Sequence, residues 1–182
     1  MLSGGYADDY IYGGHGNDSL DGEKGHDSLD GGKGHDSLDG GKGHDSLDGG
    51  KGHDSLDGGY GNDTLIGEEG GDVFILRQSR GQNTIWDFVD GTDHILLIGD
   101  GGYLSYDDVT IDSLDGNTVI EATGIYAILQ GVDRSLINAE DFTNNPYVVT
   151  EISDDFALVG EEFNLNVSNN SRWFDTLLNF HS

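Results

Sequence analysis

The sequence predicts an all-β protein in which a repetitive solenoid is followed by a shorter, less regular β-rich segment. Residues 4–75 divide without a gap into eight nonapeptides, and most of these end in a polar, apolar, polar triplet. Such a triplet is a minimal strand with one buried side chain, because successive side chains point to opposite faces. Beyond residue 75 the period fades, and short apolar runs alternate with Gly and Asp turns, which is typical of further strands.

Composition divides the chain into three parts. Glycine supplies 31 of the 182 residues, and most of them lie before residue 76. We expect residues 1–75 to form the repetitive domain and residues 76–143 to form a β-rich cap, because a solenoid end exposes sheet edges that need cover. Residues 144–182 begin with the sequence Asn144-Asn145-Pro146 and are expected to be a linker and tail.

Charge and composition exclude several classes of protein. The chain has 35 acidic against 8 basic residues, a net charge of −27, so it lacks the basic surface that nucleic acids or anionic membranes require. It has no cysteine, hence no disulfide and no thiolate metal site. No apolar run approaches the roughly 18 residues of a membrane span. The first residues lack the pattern of a signal peptide, so we expect any export to use another route.

The sixth and eighth positions of the nonapeptide keep the same character in every repeat. The eighth position is always large and apolar, as in Leu29 and Leu38. The sixth position is always aspartate. These aspartates are Asp9, Asp18, Asp27, Asp36, Asp45, Asp54, Asp63 and Asp72.

The pattern resembles the calcium-binding RTX repeat, G-G-x-G-x-D-x-U-x. The resemblance covers 72 of the 182 residues, with Ala7, Glu23 and Glu68 as departures at glycine positions. It implies a parallel β-roll of about four turns, in which loops 18 residues apart stack at the strand spacing of about 4.7 Å. It also implies that calcium ions lie between the stacked loops.

Carried over by position, the resemblance implies about six enclosed calcium sites between paired aspartates. The pairs are Asp9–Asp27, Asp27–Asp45 and Asp45–Asp63 on one side, and Asp18–Asp36, Asp36–Asp54 and Asp54–Asp72 on the other. Backbone carbonyls of the loop glycines would complete the coordination, since calcium accepts carbonyl and carboxylate oxygens together. These glycines are Gly14, Gly16, Gly25, Gly32, Gly34, Gly41, Gly43, Gly50, Gly52, Gly59 and Gly61.

The repeats are expected to need this calcium in order to fold. Residues 4–75 contain 14 Asp and 3 Glu against 4 Lys, a net charge of −13, which six calcium ions would almost neutralise. A glycine-rich segment also loses much conformational entropy on ordering. Metal-binding free energy would therefore become folding free energy.

Lysine and histidine recur at the third and fifth positions of the central repeats. Histidine at regular spacing raises the alternative of a transition-metal ladder. We favour outward-facing loop residues, because calcium does not prefer imidazole. The histidines are His26, His35, His44 and His53.

The cap is expected to contain six short strands and one further calcium site. The site would use Asp87, Asp90 and Asp93, although turn chemistry alone also explains the sequence Asp-Gly-Thr-Asp. The strands are expected at Val73–Leu76, Asn83–Phe88, Asp93–Ile98, Val109–Ile111, Thr118–Glu121 and Tyr126–Leu129.

The tail leaves three interpretations open: an uncleaved signal for type I secretion, the start of a further domain, or strands that pair with another subunit. The motifs HExxH, GxSxG and Walker A are absent from the sequence, so we expect no enzymatic activity. The favoured interpretation is a calcium-dependent folding or structural module of a secreted or cell-surface protein, with calcium as partner and possible end-to-end assembly into filaments. The alternative is the secretion-and-folding end of a larger RTX hydrolase or toxin.

Overall fold

The structure is a computed structural model, and it describes residues 1–78 and 80–144. Within these residues the chain forms sixteen strands and three short 3-10 helices, Tyr106–Asp108, Arg134–Leu136 and Ala139–Asp141. The strands are β1 (Leu2–Gly5), β2 (Tyr10–His15), β3 (Ser19–Glu23), β4 (Ser28–Lys33), β5 (Ser37–Asp39), β6 (Ser46–Asp48), β7 (Ser55–Asp57), β8 (Thr64–Ile66), β9 (Val73–Arg77), β10 (Gln82–Ile85), β11 (His94–Gly99), β12 (Gly102–Tyr103), β13 (Thr110–Leu114), β14 (Asn117–Ala122), β15 (Ile125–Leu129) and β16 (Phe142–Thr143).

From β1 to β11, successive strands alternate between two sheets, as a two-sided roll requires. The first sheet has the order β1-β3-β5-β7-β9-β11-β12, with β16 paired to β11. The second has the order β13-β14-β15-β10-β8-β6-β4-β2. From β1 to β11 every neighbouring pair is parallel, and the strands form a parallel β-solenoid of about five turns. The predicted all-β roll is therefore confirmed, and β10 with β11 adds a turn to the four that the repeats supply.

The apolar side chain of each repeat lies between the two sheets. In the first sheet Leu38 pairs with Leu56, and in the second Leu47 pairs with Leu65. All four are at most 1% exposed. Each such burial contributes roughly 1.5–3 kcal/mol. The stack continues through Phe74, Ile85 and Ile95 into the cap, so one core joins the repeats to the strands that follow.

The cap changes strand direction. Strands β13, β14 and β15 form an antiparallel meander, and β15 then joins β10 in parallel. On the first sheet, β12 pairs with β11 in an antiparallel manner and β16 pairs with it in parallel. An ion pair between Arg77 and Asp57 connects β9 to β7.

Among residues 1–78 and 80–144, none of the helices is long and apolar enough to cross a membrane. The predicted tail, apart from Asn144, lies outside the described residues. The three interpretations of the tail therefore stay predictions.

Candidate calcium sites

The repeat aspartates form two continuous columns, one on each side of the roll. In each column the Oδ1 atom of an aspartate accepts the backbone N–H of the aspartate one turn earlier. The N–H of Asp9 donates to Asp27 at 2.8 Å, and that of Asp36 donates to Asp54 at 2.7 Å. The two columns run Asp9, Asp27, Asp45, Asp63 and Asp18, Asp36, Asp54, Asp72. They follow the predicted pairing of loops 18 residues apart.

The second carboxylate oxygen of each repeat aspartate has no hydrogen-bond partner. The Oδ2 atoms of all eight are buried without one. From Asp27 onward these residues are at most 3% exposed. Leaving a charged oxygen buried and unpartnered is costly, and native proteins rarely do so. A cation beside each Oδ2 removes that cost, so the eight residues fit a metal.

The first glycine of each repeat opens space beside the unpartnered oxygen. A Cβ atom on Gly40 would lie 2.7 Å from Asp45 Oδ2 and 2.7 Å from the carbonyl oxygen of Gly58, one turn later. A Cβ atom on Gly31 would meet Asp36 Oδ2 and the Gly49 carbonyl, each at 2.6 Å. Carboxylate and carbonyl oxygens converge on the same point, and hard oxygens of both kinds are what calcium binds.

Carboxylates alone do not build these sites. In the described part of the chain, no three His, Asp or Glu side chains come together as a metal-binding group. Main-chain oxygens must therefore supply much of the coordination. Our sequence analysis missed the first-position glycines, although their invariance in all eight repeats was a usable signal. They are Gly4, Gly13, Gly22, Gly31, Gly40, Gly49, Gly58 and Gly67.

The glycines predicted as ligands lie in the same loops, at the second and fourth positions. Second-position carbonyls accept hydrogen bonds along the ladder: the Lys51 N–H donates to Gly32 at 2.9 Å, for example. Fourth-position glycines stack directly, so that a Cβ atom on Gly52 would clash with the carbonyl oxygen of Gly34. Their role as ligands stays a prediction.

The two glutamates at second positions take the backbone conformation of the glycines that they replace. Glu23 has φ 67° and Glu68 has φ 66°, both in the left-handed region. This conformation costs a residue with a Cβ atom roughly 1–2 kcal/mol. The loops therefore keep their shape at both departures from the motif, at a local cost in stability.

Burial raises the pKa of the inner aspartates. It raises the pKa of Asp45 and Asp54 to about 6, that of Asp63 to about 7 and that of Asp72 to about 8. Neighbouring carboxylates of the same column add to the effect, while the backbone hydrogen bond to Oδ1 opposes it. A bound cation favours the charged form and reverses this preference.

The histidines of the fifth position are hydrogen-bond acceptors. Nδ1 of His26 accepts the N–H of His44 at 2.8 Å, and Nδ1 of His35 accepts that of His53 at 2.8 Å. The rings within each pair are stacked, with centroids 5.2 Å apart. A neutral imidazole has a single acceptor nitrogen. Because the backbone uses it, this geometry favours the predicted outward loop residue over a transition-metal ladder.

The three aspartates predicted as a further site in the cap have separate partners. Asp87 accepts the N–H groups of Gly67 and Glu68. Asp93 accepts those of Asp72 and Val89. Asp90 instead interacts with the buried Asp141. The structure does not bring these three carboxylates together around one point.

Known proteins share the repeat. The model of the RTX calcium-binding nonapeptide repeat, which comprises four copies, matches residues 1–29, 24–56 and 39–74. No curated protein sequence matches the chain.

Two solved structures are similar to this one. The extracellular lipase LipA from Serratia marcescens is 18% identical with a TM-score of 0.40, over 75% of this chain. This chain spans only 38% of that lipase. The AlgE6R3 subunit of the mannuronan C5-epimerase from Azotobacter vinelandii is 25% identical with a TM-score of 0.48, over 91% of this chain and 90% of its own.

Three findings agree: the eight nonapeptides follow one another in register, their aspartates form two columns, and the family model matches the same residues. Residues 1–74 carry the RTX calcium-binding nonapeptide repeat.

Proposed function

We propose that this protein is a calcium-dependent folding and structural module of a secreted or cell-surface protein. The observation that carries the proposal is the set of eight buried Oδ2 atoms without hydrogen-bond partners. Without a cation, folding must bury these charges or protonate them. With calcium, each charge is compensated, and calcium binding stabilises the two columns of the folded roll.

Circular dichroism during a calcium titration tests this proposal. We expect little β structure in chelator and a cooperative gain of β structure as calcium rises into the range of roughly 10⁻⁴–10⁻³ M that is typical of extracellular modules. Magnesium at equal concentration is the control, because its demand for octahedral geometry suits these carbonyl-rich loops poorly. A spectrum that is the same in chelator and in about 10 mM calcium, well above that range, would exclude the proposal.

The proposed role is not enzymatic. The repeat aspartates are buried in the two columns, and their oxygens face the neighbouring turns rather than an open cleft. A metal enclosed by such ligands has no free coordination position for a substrate. Assays for hydrolase activity on ester, glycosidic and peptide substrates test this part, and turnover in the calcium-loaded chain would contradict it.

Calcium-dependent folding also fits export by type I secretion. RTX repeats are typical of proteins that leave the cell by this route, and the cytosol holds little free calcium. A chain that stays unfolded there remains threadable and folds outside. Retention of the protein in cells that lack a type I exporter would support the route, whereas unchanged export would contradict it.

We also propose that subunits associate end to end. In the described residues, β1 and β2 are the terminal strands of their sheets, each with a neighbour on one side only. The strands at that end expose Leu2, Tyr10 and Tyr12, and the cap exposes Trp86 and Tyr103. Between them, the four central nonapeptides expose no large apolar side chain. Unpaired strand edges with apolar side chains favour pairing with another chain.

Sedimentation at rising protein concentration, with and without calcium, tests this association. We expect calcium-dependent growth that deletion of residues 147–182 reduces if the tail supplies strands. A strictly monomeric species in saturating calcium would exclude assembly. A monomeric result would favour the alternative that the roll is one part of a larger RTX hydrolase or toxin. The length of the parent reading frame tests that alternative.

A further inference from the structure

Both aspartate columns continue past the last repeat. The N–H of Asp63 donates to Asn83 Oδ1 at 3.3 Å, and that of Asp72 donates to Asp93 Oδ1 at 3.0 Å. Asn83 and Asp93 are 5% and 3% exposed. An uninterrupted period of 18 would place the next column members at positions 81 and 90. Longer spacings, of 20 and 21 residues, bring Asn83 and Asp93 to these places in the roll instead.

Directly before Asn83, the chain keeps two features of a repeat loop. Gly81 has φ 129° and stacks on Gly61, as the fourth-position glycines do in the repeats. The N–H of Gln82 donates to Asn62 Oδ1 at 2.9 Å, which continues the ladder of fifth-position acceptors. In this column the side chain at the sixth position therefore changes while its immediate backbone neighbours keep their arrangement.

Neither of the two residues offers calcium an unpartnered oxygen. In Asn83 an amide nitrogen stands where aspartate has its second oxygen, and an NH₂ group is a donor that cannot ligate a cation. Asp93 keeps both oxygens, but its Oδ2 accepts the N–H of Val89 from its own loop at 2.8 Å. The Oδ2 atoms of the eight repeat aspartates have no such partner.

We infer that Asn83 and Asp93 end the two calcium columns. Each closes its column by accepting the last aspartate N–H, and neither binds an ion through a second oxygen. The fifth turn is thus joined to the fourth without a calcium ion between them, and residues 9–72 set how many calcium ions the roll binds. The inference rests on the proposed binding of calcium to the repeats.

Calcium counting on the full chain tests the inference. Bound calcium is measured by equilibrium dialysis and atomic emission for the wild type, Asp72→Asn, Asp93→Asn and Asn83→Asp. Asp72→Asn is the matched control, because it makes the same substitution one turn earlier in the same column. We expect it to lose at least one ion per chain, and Asp93→Asn to keep the full count.

Asn83→Asp is the independent arm. We expect it to gain no ion and to unfold at a lower temperature in saturating calcium, because it buries a charge that no cation compensates. If Asn83→Asp does not fold at any calcium concentration, this result also supports the inference, because a calcium ion bound at position 83 would stabilise the new carboxylate. If Asp93→Asn does not fold, the result for Asn83→Asp alone tests the inference.

Two results would overturn the inference: a loss of calcium in Asp93→Asn equal to that in Asp72→Asn, or a gain of one ion in Asn83→Asp. A wild-type chain that binds no calcium is a different result. It contradicts the proposed function itself, and it is recognised before any variant is compared.

Discussion

Nδ1 of His44 accepts the backbone N–H of Asn62, one turn later in the roll, at 2.8 Å. Asn62 repeats the arrangement, because its Oδ1 accepts the N–H of Gln82. At the start of the same ladder, Asp8 Oδ1 accepts the N–H of His26. Imidazole, amide and carboxylate groups thus have the same role in this ladder: each accepts a backbone N–H of the next turn.

Replacing His44 by asparagine should therefore be nearly neutral, and replacing it by alanine should not. His44→Ala leaves the Asn62 N–H without its acceptor, so we expect a loss of roughly 0.5–1.5 kcal/mol in the free energy of unfolding. His44→Asn keeps an acceptor of the kind that Asn17 and Asn62 already provide. Thermal unfolding in saturating calcium measures both, and equal losses would contradict a specific hydrogen-bonding role.

A methyl group on Gly40 should disable one calcium site. Its Cβ atom would lie 2.7 Å from both Asp45 Oδ2 and the Gly58 carbonyl oxygen, the two atoms that would face the ion. We expect Gly40→Ala to bind at least one calcium ion fewer and to need more calcium to fold. Gly101→Ala is the control, because nothing lies within 4 Å of its added carbon and its φ is not positive. An unchanged calcium count in Gly40→Ala would show that the ions bind elsewhere.

Removing a central aspartate should cost more calcium than removing a terminal one. Asp36 has a column neighbour on both sides, Asp18 and Asp54, whereas Asp9 has only Asp27. We therefore expect Asp36→Ala to lose more bound calcium than Asp9→Ala and to shift the folding midpoint further towards high calcium. Calcium counting with circular dichroism compares the pair. Equal effects would speak against sharing of each carboxylate between two ions.

The need for calcium in folding should grow as pH rises. Burial raises the pKa of Asp63 to about 7 and that of Asp72 to about 8, from 3.8. The calcium-free fold holds protons that the unfolded chain has released, so that fold loses stability as pH rises from about 4 to 8. Bound calcium removes this dependence, because a cation favours the charged carboxylates. In chelator the chain should therefore show more β structure at about pH 5 than at about pH 8.

Circular dichroism in chelator at about pH 5 and at about pH 8 measures this change. The same pair of spectra in saturating calcium is the control, and these two should be alike. If β structure in chelator does not increase towards the lower pH, the result contradicts the raised pKa of the inner aspartates.

The strict period made much of the roll predictable. Because Leu38 and its equivalents recur at one fixed position, the strand and its buried side chain follow from the two-residue alternation of a strand. The stacking partner 18 residues away was implied by the resemblance to the RTX repeat. The cap strands were predicted because short apolar runs between turns survive the loss of the period, although β10 ends at Ile85 rather than Phe88.

What escaped prediction depends on contacts that spacing does not encode. Asn83 and Asp93 join the columns through loops of irregular length, so a search at intervals of 18 residues passes over both. The direction of β13, β14 and β15 is also hidden, because alternating side chains are the same in parallel and antiparallel pairs. The first-position glycines were not among the predicted site residues, because their contact with Oδ2 exists only in the folded loop.

Successive nonapeptides alternate between the two sheets, so the roll closes every 18 residues although the sequence repeats every nine. The nonapeptides that begin at Gly31, Gly40 and Gly49 are identical. Adding or removing an even number of them changes only the length of the molecule. An odd number also turns the first strands by half a revolution relative to the cap, so that β1 would continue the sheet of the β13–β15 meander. The effect of a change in copy number thus depends on its parity. An even change alters only the distance between the first strands and the cap, whereas an odd change also rotates the first strands to the opposite side of the roll.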